Sequence, residues 1–176
     1  MFALKPIRVC HLASGDLWAG AEAQIATLLR ALKADQRLDL SAIVLNKGRL
    51  AEELAVAGIS VTVYEESVGT WTTLRSLASH LNLHRPDIVH SHRYKEHILC
   101  AFAAKLSHNS LMVQTYHGLE EHLHGWAEVK MSAYTTLSTV VGKIAAQRFV
   151  GVSEEITAIL RRRYAPGKVR CIRNGV

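Results

Sequence analysis

The sequence predicts an α/β protein built on one doubly wound parallel sheet of about seven strands. Three observations carry that expectation. Short strand-like runs alternate with runs of helical periodicity along the whole chain. Several of the strand-like runs are apolar at every position, as expected of strands covered on both faces. Polar clusters fall at the carboxyl ends of those strands, the edge where open parallel sheets bind ligands. Right-handed crossovers follow as the default. A length of 176 residues suits one domain, and no internal repeat, low-complexity tract or linker interrupts it.

Strand one is Ile7 to Ala13, and Ile25, Leu28, Leu29 and Leu32 then recur at helical spacing in a helix from Gly20 to Lys33. Glu22 in its first turn suits the positive helix end. Leu38 to Asn46 is strand two. Gly48-Arg49 opens a short helix carrying Leu50, Leu54 and Ala57, closed by Gly58. Ile59 to Tyr64 is strand three, and Glu65 to Thr70 is loop. Trp71 to Leu83 forms a helix through Leu74, Leu77 and Leu81, stopped before Pro86. Asp87 to His92 is strand four, Tyr94 to Leu106 a helix, and Leu111 to Tyr116 strand five. A polar stretch, Leu119 to Gly125, precedes a long helical pattern from Trp126 to Ala146, with a break expected near Thr135-Thr136. Arg148 to Val152 is strand six. Ser153 is a good N-cap for a helix with Ile156, Ile159 and Leu160. Pro166-Gly167 then turns the chain into strand seven, Val169 to Ile172.

The loop between strand one and the first helix, Ala13-Ser14-Gly15-Asp16-Leu17-Trp18-Ala19-Gly20-Ala21-Glu22, is the stretch around which the chain is organised. A glycine where a helix opens lets backbone N–H groups and the positive helix end approach an anion, most often a phosphate. The alternative is a tight turn that only packs helix on sheet. The loop excludes two common phosphate binders. Gly15 and Gly20 have P-loop spacing, but Ala21-Glu22 replaces the Lys-Ser/Thr. The dinucleotide fingerprint G-x-G-x-x-G is missing, and strand two ends near Asn46 where a ribose-binding acid is expected.

The formal net charge is +6, which favours phosphorylated ligands, anionic lipid or nucleic acid. The one dense cluster, Arg161-Arg162-Arg163, ends a helix, where cations complement the dipole anyway. With no aromatic-flanked basic strip, a nucleic-acid partner is not expected. Cys10, Cys100 and Cys171 lie far apart with no C-x-x-C pair, consistent with three buried thiols in a reducing cytoplasm. No apolar run is long enough to span a bilayer, and the N-terminus lacks the pattern of a signal peptide.

Three polar clusters fall at strand ends: Ser14 to Gly20, His92-Arg93-Tyr94, and Tyr116-His117-Gly118; Ser153 follows strand six in the same way. His90 and His92 share one face of strand four; His90 is expected to be a satisfied core histidine and His92 to emerge into the cleft. His117, followed by Gly118, can donate to a ligand oxygen as the chain turns away. A zinc site from His90, His92, His117, His122 and His124 fits no His-Glu-x-x-His spacing and has no cysteine near, so no metal is expected. No G-x-S-x-G nucleophile elbow is present. The paired carboxylates Glu65-Glu66, Glu120-Glu121 and Glu154-Glu155 are adjacent residues, which rarely face one site, and are read as solvated.

Taken together, these marks resemble the N-terminal, Rossmann-like half of retaining glycosyltransferases of the two-domain GT-B fold, in the large family-4 group. The likeness runs over essentially the whole chain, residues 1–176. It is carried by Trp18-Ala19-Gly20-Ala21-Glu22, similar to the family's Gly-Gly-Ala-Glu, by Pro86-Asp87-Ile88-Val89-His90-Ser91-His92, by Thr115-Tyr116-His117-Gly118, by Val150-Gly151-Val152-Ser153-Glu154, and by Arg173-Asn174-Gly175-Val176. Ala19 departs from the pattern, where the family often has the first glycine of its pair.

The resemblance implies an enzyme, of hexosyltransferase type, moving a sugar from a nucleotide-sugar to a glycan or lipid-linked acceptor in polysaccharide biosynthesis. It implies retention of anomeric configuration and no metal or other cofactor. By motif match His117 is the catalytic position, touching the donor sugar. Gly20, Ala19, His117 and Gly118 bind the donor diphosphate and sugar. Trp18, His92, Arg93, Tyr94 and Ser153 lie on the acceptor side. The C-terminal nucleotide-sugar-binding domain is expected beyond Val176, so the chain is expected to be a fragment with little activity alone. The location is expected to be cytoplasmic, with a peripheral contact at the inner membrane face through Trp126 to Arg148 and its Lys130, Lys143 and Arg148, weighed against a core-packing helix. Two alternatives stand beside this reading: a GT-B nucleotide-sugar epimerase, which uses carboxylates as acid and base, and a non-catalytic doubly wound module that binds a phosphorylated ligand or a protein.

Overall fold

The computed structural model describes residues 5–107, 110–118 and 126–174. Leu119 to Gly125, with Glu120-Glu121, His122 and His124, and the terminal Gly175-Val176 lie outside the described residues, as does the start of the chain at residues 1–4. In order the elements are β1 Ile7–Ser14, α1 Gly20–Leu32, β2 Leu38–Leu45, α2 Arg49–Val56, β3 Ser60–Tyr64, α3 Thr70–His84, β4 Ile88–Ser91, α4 Tyr94–Lys105, β5 Leu111–Tyr116, α5 Trp126–Ala145, β6 Ala146–Gly151, α6 Glu154–Arg163 and β7 Val169–Cys171. Short 3-10 turns at Glu66–Val68 and Pro166–Lys168 occupy two of the connections, the first within the expected loop.

The seven strands form one sheet in the order β3-β2-β1-β4-β5-β6-β7, and every pairing is parallel. The order reverses between β1 and β4, which is where a sheet of this kind opens a crevice for ligands. Reversal also moves the helices from one face to the other. Helices α1 and α2 pack on Val9, Ala13, Leu40, Ala42 and Val44. Helices α3 to α6 pack on Cys10, Leu12, Ile43, Leu45, Val89, Met112 and Phe149. Odd and even positions of β1 thus go to opposite cores, the period-2 rule acting on a strand buried on both sides.

The α1/α2 face is covered over half of its width. His11, His90, Val113 and Arg148 stand in register across β1, β4, β5 and β6. His11 is buried, His90 and Val113 are half-buried, and Arg148 is exposed. Among the described residues no helix lies over the β5–β7 end of this face.

Two glycines close the edge near the first loop. A Cβ on Gly15 would meet the Asn46 carbonyl oxygen at 2.5 Å, and one on Gly48 would meet the Gly15 carbonyl oxygen at 1.8 Å. The loops after β1 and β2 therefore touch backbone to backbone, and only glycine fits.

Helix α5 differs from expectation. It is unbroken from Trp126 to Ala145, because the Thr135 hydroxyl donates to the Met131 carbonyl at 2.7 Å and the Thr139 hydroxyl to the Thr135 carbonyl at 2.8 Å. The hydroxyls are satisfied inside the helix instead of competing with it. Strand β6 then starts at once, at Ala146 and not Arg148. The helix is also turned inside out. Thr135, Ser138 and Gly142 are buried, whereas Val129, Leu137, Val140 and Ile144 are exposed, Ile144 at 76%. A Cβ at Gly142 would stand 2.9 Å from the Gln114 side chain and 3.2 Å from the Phe149 ring, so small residues let α5 approach the sheet closely. Among the cysteines, Cys10 and Cys100 are buried as expected, with thiols pushed up by burial, Cys10 to about 11. Cys171 is only half-buried, because β7 is the edge strand.

Candidate functional site

Three segments meet at the carboxyl edge around the reversal point: the loop opening α1, the end of β4, and the end of β5. The α1 loop is held by Glu22, whose carboxylate accepts the Ala19 N–H at 3.0 Å. Its other oxygen pairs with the Arg93 guanidinium at 2.8 Å. The Glu22 side chain is 2% exposed and the Arg93 side chain 37%. One carboxylate thus ties the loop after β1 to the loop after β4. The Ala19 N–H is committed to this bond, which leaves Gly20 and the amides after it to face a ligand. A Cβ on Gly20 would meet nothing within 4 Å. Close packing is therefore served by Gly15 and Gly48, and Gly20 faces open space, as a position for ligand approach requires.

Behind the loop lies a cluster of imidazoles. His11 Nδ1 and His92 Nε2 are 3.0 Å apart, and His92 Nδ1 and His117 Nε2 are 3.0 Å apart. His90 stacks on His92 with centroids 4.3 Å apart and bonds the Thr115 hydroxyl at 2.7 Å. Burial holds these histidines neutral: it lowers His11 and His117 to about 4, the latter helped by the Arg93 charge, and His90 and His92 well below the usual histidine range.

The expectation for strand four is corrected here. His92, expected to emerge into the cleft, is 1% exposed, because it is bonded on both sides and stacked beneath His90. His90, expected in the core, is the half-buried one, because it stands towards the uncovered end of the α1/α2 face. His92 can therefore reach an acceptor only through its neighbours. His117, half-buried with Gly118 open beside it, is where the cluster meets the edge.

The other expected residues are dispersed. Tyr94 packs against the opposite core, edge-on to Tyr116. Trp18 packs on the α1/α2 core with the Arg49 guanidinium 4.4 Å over its ring. Ser153 caps α6, its hydroxyl oxygen accepting the Ile156 N–H at 3.2 Å. Glu66 is not simply solvated; it pairs with Lys95 at 2.6 Å and accepts from the Asn46 amide at 2.9 Å. That pair borders a small pocket with Thr70, Thr73 and Tyr134, which sequence reasoning missed. His11 was missed too, although a single histidine inside the apolar run of the central strand was its signal.

His11, His90 and His92 offer ring nitrogens within 4.8 Å of one another, close enough to suggest a metal. The geometry points elsewhere. His11 and His92 lie near one plane, 16° apart, with centroids 5.3 Å apart and nitrogens 3.0 Å apart. The difference, about 2.3 Å, is two ring radii laid end to end, so the two nitrogens face each other along one line as donor and acceptor. Ligands of one metal ion aim at a shared point instead. Two buried acids also reach this edge, and each has a partner: Glu22 has Arg93, and Glu96 accepts from the Ser14 hydroxyl, its carboxyl raised by burial.

The model of the family described as Glycosyltransferase Family 4 matches residues 18–176. No curated protein matches the sequence. Among solved structures the chain is similar to HepE of Anabaena, determined with UDP, at a TM-score of 0.77 and 14% identity over 96% of this chain and 44% of that one. It is similar to the lipopolysaccharide outer core galactosyltransferase WaaB at 0.71 and 12%, over 96% of this chain and 46% of that one. A Listeria monocytogenes protein described as a UDP-N-acetylglucosamine 2-epimerase follows at 0.67 and 13%, over 93% and 43%. The chain spans less than half the length of each. A family match of that extent is decisive, and the chain belongs to Glycosyltransferase Family 4, with the fold of the N-terminal half of the two-domain GT-B architecture.

Proposed function

We propose that this chain is the acceptor-side half of a retaining glycosyltransferase. It works with a C-terminal nucleotide-sugar-binding domain encoded beyond Val176. The observation that carries the reading is the pairing of an open Gly20 with His117 across the reversal point of the sheet. In the proposed reaction the bond from sugar to diphosphate breaks, and charge develops on the leaving oxygen and on the sugar ring. Amides at the α1 N-terminus stabilise the first. His117 holds the sugar, and the edge of the N-terminal half holds the acceptor against it. Because His92 is buried and Tyr94 faces the other core, the acceptor side is assigned to Arg93, Trp18 and the pocket bordered by Glu66, Lys95 and Tyr134. HepE was determined with UDP and UDP-glucose, which makes uridine donors the first to try.

The inside-out α5 supports a peripheral membrane contact. No described helix is long and apolar enough to cross a membrane. Val129, Leu137, Val140 and Ile144 instead form one exposed apolar stripe, with Lys130 and Lys143 on the same helix. Apolar burial flanked by cations suits an anionic lipid surface, where a lipid-linked acceptor resides.

The epimerase alternative needs carboxylates free to take and return a proton. Glu22 is held at both oxygens by Arg93 and the Ala19 N–H. Glu96 is buried with one oxygen on the Ser14 hydroxyl and the other without a partner among the described residues. No two free carboxylates among the described residues face each other here, which favours the transferase. The test is donor hydrolysis by the full-length gene product against a panel of nucleotide-sugars, with His117→Ala alongside. Hydrolysis of one donor, lost in the variant, is expected. Interconversion of UDP-N-acetylglucosamine and its 2-epimer would replace this reading with the epimerase. A gene ending at Val176, with no turnover, would favour the binding module.

A further inference from the structure

His11, His92 and His117 form a chain of two collinear hydrogen bonds, running from the middle of β1 to the ligand edge. The His92–His117 contact repeats the geometry of the first, with centroids again 5.3 Å apart and nitrogens 3.0 Å apart. Each N···N bond needs one N–H and one lone pair. A neutral imidazole has one of each, so fixing one ring fixes all three. Only two arrangements keep both bonds. In the first, every ring carries its proton on Nε2, so protons point inward and the terminal His11 Nε2 is a buried N–H. In the second, every ring carries it on Nδ1, so protons point outward and His11 Nε2 is a buried lone pair.

The ends of the chain decide between them. His11 Nε2 and His117 Nδ1 are both buried atoms without a hydrogen-bond partner among the described residues. Each arrangement leaves one buried N–H without a partner, at His11 Nε2 in the first and at His117 Nδ1 in the second. Such a group is costly unless an oxygen can come to it. His117 is half-buried at the sheet edge beside the open Gly118, where an oxygen can, and His11 is 1% exposed inside the sheet. At the deep end no ligand can reach His11. We infer that His11 and His92 are positioning residues that hold His117 as the Nδ1–H tautomer, so that it presents a hydrogen-bond donor, and not an acceptor, to an oxygen bound at the sheet edge.

His90 stacks over His92 and, through Thr115, stops the ring from turning over. Conversion to the other arrangement needs one proton taken from His117 Nδ1 and one delivered to His11 Nε2. Two more must shift along the bonds between, and the buried end has no group to supply its proton. The tautomer is therefore set by the fold. Under the transferase reading the bound oxygen belongs to the donor sugar, and the tautomer itself stands or falls without any ligand.

The test is two-bond nitrogen–proton correlation NMR on the protein labelled with nitrogen-15 histidine, without ligand, at neutral pH. His11, His92 and His117 are expected to show a protonated Nδ1 and an unprotonated Nε2. An Nε2–H form at any of the three overturns the inference. Three variants separate positioning from mere packing. His92→Asn sets an amide N–H near the lost Nδ1–H and is expected to keep His117 as Nδ1–H. His92→Gln, whose amide falls near Nε2, and His92→Leu are expected to leave His117 a mixture of tautomers. If His117 stays wholly Nδ1–H in His92→Leu, the relay is refuted. The unsubstituted protein decides the tautomers even if a variant fails to fold. Absence of hydrolysis of every donor by the unsubstituted full-length protein, alongside the expected tautomers, would count against the transferase reading and not against this inference.

Discussion

Alanine at Gly48 and alanine at Gly20 should have opposite effects, and the pair separates packing from ligand approach. At Gly48 the new Cβ would lie 1.8 Å from the Gly15 carbonyl oxygen and 2.8 Å from its carbon. Both are backbone atoms, and the Gly15 N–H is tied to the Leu45 carbonyl at 2.7 Å. The φ of Gly48 is 166°, extended backbone open to any residue, so the cost is contact and not dihedral strain. Overlap of that depth with fixed backbone is expected to cost at least about 3 kcal/mol. For a domain of this size that is a fall in Tm of roughly 6–12 °C. At Gly20 the new Cβ meets nothing, and the position opens a helix. Alanine there is expected to leave Tm unchanged or raise it, by up to about 1 kcal/mol of stability. It should nevertheless hold a diphosphate off the loop amides. Losing one charge-assisted bond of about 1.5–3 kcal/mol weakens nucleotide-sugar binding by the full-length protein roughly 10- to 100-fold. Thermal melts by far-UV circular dichroism and donor titration read the two effects. A Gly20→Ala melt as low as that of Gly48→Ala, or a Gly48→Ala melt equal to the unsubstituted protein, would refute the assignment of roles.

Three further outcomes follow from the same geometry. Folded His11 and His117 resist protonation down to about pH 4, and His97, buried on α4 against the Ser91 hydroxyl, to about pH 3, whereas the unfolded chain takes up these protons near 6.5. Stability is therefore whole above pH 6.5 and falls between there and pH 4, by about 1.4 kcal/mol per pH unit for each such histidine; urea midpoints at pH 7.5, 6 and 5 measure it, and a flat series contradicts it. Glu22→Gln keeps an oxygen for the Ala19 N–H but leaves Arg93 without its partner. With Arg93 partly solvated, a cost of about 1–2 kcal/mol is expected in urea denaturation, and none at all would show the tie between the two loops to be idle. The double change Leu137→Asp with Ile144→Asp should abolish flotation of the full-length protein with anionic vesicles. Because both positions are exposed it should move stability by under about 1 kcal/mol in total, and unchanged flotation would remove α5 from the membrane contact.

The architecture was legible because short strand-like runs, several of them apolar throughout, alternate with runs of helical spacing along the whole chain. Boundaries failed where side chains settle them locally: the threonines expected to break α5 bond within it, and β6 starts as soon as the helix ends. The site was legible only in part. Gly20, His117 and the Ser153 cap could be placed from the chain order of strand ends. The reversal of His90 and His92 could not, because it depends on which half of a sheet face the helices leave uncovered. His11 is the clearest case. Its partner His92 lies 81 residues further on, just past β4, and its role follows from the sheet order, not from its neighbours in the chain.

That same register bears on how the protein is born. Strand β1 sits between β2 and β4, and its full length pairs with β2 alone until residues 88–91 exist. At about 5–20 residues per second a ribosome needs several seconds to cover that gap. The α1 and α2 half of the core can assemble during this interval. The ligand edge cannot, since His92 and His117 have yet to be made. A nascent or prematurely terminated chain thus displays the Gly20 loop without the imidazoles behind it, and the candidate ligand edge is complete only once synthesis has passed the end of β5.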